Sequence, residues 1–503
     1  MASPPQSPPS GVASVAVIGA GISGVCSAAY ALREGLSVTV FDRSNIAGGV
    51  WHYDERKAEE PSYPNEKPSE GDYRLSRPGE LRYPTPPPGD QDTSKTSTPP
   101  SDTDRIRFSP PGPCYAGLMN NVPTRLMSSN LGAWPEGTPD FTSQSNLEAY
   151  VQQLAHDTGV NAVTRFGTRV DGVTKSPDGS RWHVRAVRLD ETTGALTDED
   201  WTFDAVVVAT GHYNMPRVPD IPGLAAWKAA FPDRVTHSKR YRSPDAYTDK
   251  NLFIIGGGVS SVDICRELDG KANKVYQSTR LGKYDLPTIL LPANAERVAG
   301  VARFELDETS TAGPNDHLPG RIVLTDGRVI DDIDNVVLGT GYITSYPFLQ
   351  DLHSDTAPQE EAGDRLLVTR EGDMTHNLHR DIWYIEDPTL AFVGAPYHVS
   401  TFSLFSFQAQ AVARVLAGKA RLPPKDERRR QYRERVADRG LGRDFHSLRA
   451  HGAEVEYLDS LNSWLDADAK ELGHAPIEGI SEAWRAGYWE FKEAMKNRLG
   501  VEL

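Results

Sequence analysis

The sequence predicts an α/β fold in which two parallel units are nested, with a small antiparallel β element and C-terminal helices added to them. Three observations predict it. A strand, glycine turn, helix and second strand open the chain. A similar run lies near its middle, and apolar strands ending in Thr-Gly bracket that second run.

In the first run, Val15-Ala-Val-Ile18 is a short apolar strand followed by Gly19-x-Gly21-x-x-Gly24. Val25 to Glu34 has no Pro and reads as a helix ended by Gly35. Ser37 to Asp42 is the next strand, with the acid Asp42 as its last residue. This is a Rossmann-like βαβ unit. Gly19 permits the tight turn, Gly21 lets backbone approach a pyrophosphate, and Gly24 lets helix and strand pack closely. The helix N-terminus offers free N–H groups and a positive dipole end to phosphate. Asp42 stands where a carboxylate accepts from a ribose hydroxyl.

Composition bounds the function. The 503 residues carry 43 Gly and 37 Pro, a length that suggests two or three packed units. A net charge of -15 excludes a general nucleic-acid binder, which needs a basic face. Cys26, Cys114 and Cys265 form neither a disulfide framework nor a C-x-x-C pair. No metal-ligand set is assigned. Met1 to Gly11 lacks the apolar core of a secretory signal. No run reaches the ~18 apolar residues of a membrane span. The expectation is a soluble cytoplasmic protein.

Beyond Asp42 comes Gly48-Gly49-Val50-Trp51, taken alone a plain turn. Glu55 to Pro113 is rich in Pro, Ser, Thr and acids without periodicity, and reads as a long surface excursion, partly disordered, or a lid. Ser145 to Thr158 reads as a capped amphipathic helix. Val160 to Val187 reads as short antiparallel strands, and Phe203 to Ala209 as an apolar strand stopped by Thr210-Gly211.

The second unit has Asn251 to Ile255 as strand, Gly256-Gly-Gly258-Val-Ser260-Ser261 as turn, Val262 to Leu268 as helix and Lys274 to Ser278 as the next strand. Ser261 replaces the third glycine with a small residue. The strand ends in Ser278-Thr-Arg280 rather than in an acid, which suits the 2′-phosphate of NADPH. Asn335 to Tyr342 repeats the apolar-strand-then-Thr-Gly pattern, so the two such strands suit two crossings between nested domains. Lys425 to Glu434 is a charge run read as a solvated helical face. Trp464, Trp484 and Trp489 read as packing residues of helices laid over the first domain.

Two dinucleotide units in one chain imply electron transfer between two cofactors, and the natural pair is NADPH and FAD. A disulfide reductase of this architecture would need a dithiol that the chain lacks.

The motifs resemble the flavin-containing monooxygenases, class B and NADPH-dependent, of the fungal type. The resemblance runs from about Ser14 to Gly418. It rests on the first glycine motif, Gly48-Gly49-x-Trp51, Tyr115-x-x-Leu118-x-x-Asn121-x-Pro123, Ala209-Thr-Gly211 and the Gly256 turn. Phe231-Pro-Asp233-Arg-Val-Thr-His237-Ser238-Lys-Arg-Tyr241 looks like the family's F-x-G-x-x-x-H-S-x-x-[YF], with Asp233 in place of Gly. Leu338-Gly-Thr340-Gly341-Tyr342 is similar to its A-T-G-Y element.

The resemblance implies that NADPH reduces FAD and that O₂ adds to the reduced flavin as a C4a-hydroperoxide. An amine nitrogen or sulfur of a small molecule, for instance a fungal secondary metabolite, then takes the distal oxygen. Baeyer–Villiger oxygenation and an NADPH oxidase releasing hydrogen peroxide are the alternatives. Asn121 matches the family's active-site asparagine and is the catalytic assignment, with Asn120 one register away. The cofactor assignments are Gly19, Gly21, Ile22, Ser23, Gly24, Asp42, Arg43, Gly49, Val50, Trp51, Asn121 and Thr210 in the first unit. In and after the second they are Gly256, Gly258, Ser260, Ser261, Ser278, Arg280, Thr340, Gly341 and Tyr342. His237 reads as structural, orienting the crossing. His398 and Phe402 to Phe407 are placed at a pocket mouth.

Residues 1–13 are expected as a disordered tail and 14–215 as the first part of an FAD-binding domain, with the Pro-rich insertion at 55–113. Residues 216–338 are expected as an NADPH-binding domain, and 339–503 as the rest of the FAD domain and the C-terminal helices. O₂ and a small-molecule substrate are the partners, with neither nucleic acid nor membrane, and the family resemblance is compatible with a homodimer.

Overall fold

The computed structural model describes residues 11–73, 99–307, 309, 313 and 316–499. The strand Ser14–Ile18 lies inside a seven-stranded sheet. The order is Leu378–His379, Trp383–Tyr384, Leu390–Phe392, Ala205–Val208, Ser14–Ile18, Ser37–Phe41 and Thr164–Arg165. The last five are parallel. Val15, Ala16 and Val17 are fully buried, because both faces of the sheet are covered. Val15 and Val17 meet the helices, while Ala16 and Ile18 meet the antiparallel meander. A strand buried on both faces reads as continuously apolar, which is why it was legible.

The helix Ile22–Arg33 packs on the helix Thr401–Leu416, which packs in turn on Ala453–Leu472. The meander runs through Thr168–Lys175, Trp182–Leu189 and Leu196–Phe203. Phe203 therefore ends the meander, and the apolar strand begins at Ala205. Asp204 marks the corner, its carboxylate accepting from the N–H groups of Ala13 and Ser14 at 2.9 and 2.8 Å.

The second sheet is wholly parallel, in the order Ala295–Val298, Lys274–Ser278, Asn251–Ile255, Asn335–Leu338 and Val235–His237. The chain leaves the first sheet after Ala205–Val208 and returns to it at Leu378–His379. On the way out it forms Met215–Pro216 and on the way back Tyr342–Ile343, and these pair antiparallel. The two crossings are one ribbon. Both glycine-turn helices start earlier than the sequence predicts, at Ile22 and Val259, since each begins directly after its second motif glycine.

The Pro-rich insertion is more than a surface excursion. Asp102–Phe108 is a helix with a Ser101–Asp104 capping box. Asn65 bridges to Val218, and Asp72 is buried between the two units. Residues 74–98 of the insertion and 1–10 of the expected tail lie outside the described residues. The charge run forms the helix Lys425–Arg439, yet Arg428 and Arg429 are buried. Arg429 pairs with Glu386 at 2.8 Å, so this face is partly interior. Trp484 is buried and Trp464 packs at the core edge, whereas Trp489 is 39% exposed. Among the described residues no helix is long and apolar enough to cross a membrane.

Candidate active site

A single cavity of about 1940 Å³ runs between the two units and is lined by both glycine turns. That is about twice the upper size of a pocket for one drug-sized ligand. Of the predicted residues, Gly19, Gly21, Ile22, Ser23, Asp42, Arg43, Gly49, Val50, Trp51, Asn121, Thr210, Gly256, Gly258, Ser260, Ser278, Arg280, Thr340, Gly341 and Tyr342 line it. Gly24 and Ser261 do not. They lie behind the turns and act through packing.

In the first turn Gly19 has φ +107°, and a Cβ there would meet the Ala209 carbonyl oxygen at 2.6 Å. A Cβ on Gly24 would fall 1.8 Å from the Gly19 oxygen. The Gly48-Gly49 turn is more than a plain one. A Cβ on Gly49, whose φ is +60°, would stand 2.8 Å from the Gly21 Cα, so two glycine backbones pack face to face. The Asp42 carboxylate accepts from the Ala20 N–H at 2.5 Å and from the Ser44 N–H and hydroxyl at 2.8 and 2.7 Å. It is thereby held at the mouth of the turn.

Arg43 lines the cavity, but its guanidinium is occupied. It forms a two-pronged pair with Asp72 at 2.8 Å on each arm. Asp72 also takes the Lys239 ammonium at 2.9 Å, and Lys239 donates to the Asn214 carbonyl at 2.6 Å. Burial alone would raise the Asp72 carboxyl, but Arg43 and Lys239 more than offset it and hold it well below the usual carboxylate range. The insertion, the first unit and the edge of the second meet at this carboxylate, beside the crossing. An acid in a Pro-rich stretch carries no pattern that would reveal this.

In the second turn a Cβ on Gly256 would meet the Gly339 oxygen at 2.2 Å, whereas one on Gly258 would meet nothing within 4 Å. Ser261 is fully buried. Its hydroxyl donates to the Gly256 carbonyl at 2.5 Å and accepts from Gln277 at 2.8 Å. The Ser278 hydroxyl is buried and donates to the Ala299 carbonyl at 2.8 Å. Arg280 is exposed on the cavity wall.

Asn120 and Asn121 both line the cavity and differ in their bonds. Asn120 is buried, and its amide donates to the Val122 and Asp140 carbonyls at 2.7 Å each. Its oxygen accepts from the Thr142 N–H at 2.6 Å. Asn121 is exposed on the cavity wall. His237 does not line the cavity. Its Nδ1 accepts from the Lys239 N–H at 3.1 Å, which leaves Nε2–H to donate to the Gly341 carbonyl at 3.1 Å. Burial pushes its pKa down to about 3. A neutral, fully bonded imidazole joins the sheet edge to the returning crossing, as a structural residue would. His398 does line the cavity, but Phe402 and Phe407 are core residues of their helix, and only Phe405 of these three rings reaches the wall.

Sequence reasoning did not single out Arg443, Arg449, Lys492 or Glu454, which also line the cavity. They lie far apart in the charged C-terminal region, where no spacing ties them together.

The two nested βαβ units, each with a glycine turn opening on one cavity, define a Rossmann-like protein of two such units. Residues 112–294 and 318–472 match the flavin-binding monooxygenase-like family, and residues 17–68 match the NAD(P)-binding Rossmann-like domain. The chain belongs to the flavin-containing monooxygenases and is an oxidoreductase. It is 40% identical over 514 residues to the flavin-containing monooxygenase ustF2 of Aspergillus flavus, covering 97% of this chain and 98% of the relative. It is 37% identical over 492 residues to ustF1 of the same organism, covering 96% and 92%. Among solved structures it is similar to the S-allyl-L-cysteine S-oxygenase of Allium sativum. That match has a TM-score of 0.65 and 25% identity, and covers 96% of this chain and 93% of the other.

Proposed function

We propose that this chain uses FAD and NADPH to place one oxygen atom of O₂ on an amine nitrogen or a sulfur of a small molecule. The observation that carries the reading is the single cavity onto which both glycine turns and the uncommitted amide of Asn121 open. The cavity fits two dinucleotides. The Gly21–Gly49 contact leaves only backbone at the first turn, and the space over Gly258 is open at the second. The S-oxygenase likeness supports a soft heteroatom as the target.

In this reading the N–H groups opening the helix Ile22–Arg33 take the FAD pyrophosphate, and Asp42 accepts from its ribose with the lone pairs left over from Ala20 and Ser44. Gly256 and Gly258 carry the NADPH pyrophosphate, and Arg280 meets its 2′-phosphate. Bound flavin supplies the redox chemistry that activates O₂. Asn121 donates from its amide at the reacting end of the cavity, where a fixed donor in a water-poor site is worth more than in water. Trp51, 6.1 Å ring to ring from Phe402, helps close that end against solvent.

The test is NADPH turnover under ¹⁸O₂ with a panel of amines and thioethers. One labelled oxygen in product per NADPH is expected, and Asn121→Ala should retain flavin while diverting turnover to hydrogen peroxide. Peroxide equal to NADPH with every candidate would replace the reading with an oxidase. Label entering only ketone probes would replace it with Baeyer–Villiger oxygenation.

A further inference from the structure

One stretch of cavity wall has no role in cofactor binding as read above. It is built by the loop 440–452 and one face of the helix Glu482–Leu499, through Arg443, Arg449, Phe491, Lys492 and Met495. The chain as a whole is acidic, at -15, yet this wall is cationic. Arg443 lies over the Tyr284 ring at 4.9 Å, and Arg449 donates to the Lys283 carbonyl at 3.2 Å. Among the described residues neither has a carboxylate partner.

The acids nearby are already committed. Asp444 takes Lys283 at 2.8 Å and also the Tyr284 hydroxyl. Glu454 is buried and accepts from the Ser400 N–H at 2.7 Å. Burial pushes its carboxyl up to about 7, which further reduces negative charge at this wall. His398 stacks on Tyr284 at 5.5 Å, and burial followed by Arg449 and Arg443 push its imidazole down to about 4.

Asn121 lines the same cavity as this wall and the helix Glu482–Leu499. The turn Thr124–Leu126 that follows Asn121 is fastened to the same helix. Arg125 reaches Glu490 at 3.3 Å, and the Trp484 indole N–H donates to the Leu126 carbonyl at 3.2 Å. Apolar Phe491 and Met495 adjoin the cations on this face.

We propose that this wall is an anion subsite for the substrate. Arg443 and Arg449 take a carboxylate carried by the amine or thioether that is oxygenated, and the apolar side chains take its body. The proposal rests on the heteroatom reading above. An arginine pair with no internal acid partner is suited to forked carboxylate recognition.

The test uses the FAD-loaded enzyme with NADP⁺ and two probes of one apolar body, 3-(allylthio)propanoate and its methyl ester, titrated by calorimetry. The acid should bind about tenfold or more tightly than the ester, the effect of a charge-assisted hydrogen-bond pair. Arg443→Ala with Arg449→Ala should erase that preference, and the Arg443→Lys, Arg449→Lys pair should keep part of it. Equal binding of acid and ester by the unaltered enzyme would overturn the proposal. So would variants that weaken NADPH binding in place of acid binding, since the wall would then hold a cofactor phosphate. An acid preference without labelled product leaves the subsite standing and removes the heteroatom reading. Equal binding of acid and ester with labelled product from both does the reverse.

Discussion

The two glycine turns are built from one pattern and finished differently. At the first, the third glycine is jammed, since a Cβ on Gly24 would fall 1.8 Å from the Gly19 oxygen. At the second, Ser261 occupies that position and turns its hydroxyl back onto the Gly256 carbonyl. The first turn is roofed by Gly49, whereas the second is open above Gly258. The first strand end carries an acid bonded on both oxygens, and the second carries an exposed arginine. The contrast teaches that the shared motif specifies only the turn. Its surroundings close the first turn with backbone and leave the second open, which in the proposed reading suits a flavin that stays and a nicotinamide cofactor that is exchanged.

The largest way to break this comparison is Gly24→Ala. Backbone faces the new methyl and cannot give way, so we expect a loss above about 3 kcal/mol, beyond ordinary overpacking, and protein purified without flavin. Retained flavin and an unchanged urea midpoint would mean that the first turn is as forgiving as the second.

Asp72→Asn comes next and tests the clamp that sets the two turns facing one cavity. Removing one partner from a buried ion-pair cluster should cost about 3 kcal/mol, read as a fall in urea midpoint at neutral pH. The folded carboxyl titrates below its unfolded value of about 3.9. The pair therefore stabilises the protein above that pH, and its contribution is lost as pH falls through the folded pKa. The variant should lack that acid-dependent step, so parallel acid-stability curves would remove Asp72 as the clamp.

Arg280→Ala should raise KM for NADPH by about tenfold, the worth of one charge-assisted contact, and change KM for NADH little. Equal effects on both coenzymes would place the 2′-phosphate elsewhere. The smallest effect is expected from Ser261→Ala. It leaves one Gln277 donor unpaired and should lower stability by about 1 kcal/mol with flavin content unchanged.

Much of the fold was legible because its strands are buried on both faces. Asn251 to Ile255 and Lys274 to Ser278 were read to the residue, and Ser37 to Asp42 ran one residue past the strand's end at Phe41. Val160 to Val187 was read as antiparallel, but the third strand, Leu196–Phe203, lies beyond that range and was missed, and its last residue Phe203 was joined to the apolar strand that begins at Ala205, since only the Asp204 corner divides them. Within the candidate site, most assigned residues line the cavity because glycine turns and strand ends are local patterns. Gly24 and Ser261 do not, as packing and lining positions share the same motif.

What the sequence determined by itself was the pair of parallel units, their glycine turns and the opposite charges at their strand ends, all encoded by residues within one βαβ stretch. Both asparagines line the cavity, and only the tertiary structure decided that the Asn120 amide is spent on protein partners, because Asp140 and Thr142 lie about twenty residues away in sequence. It alone brought Asp72 to Arg43 and Lys239, and set Arg443 and Arg449 on the cavity wall. Those contacts join segments tens to hundreds of residues apart, and a charged side chain's role is set by which carboxylate the fold does or does not bring within reach.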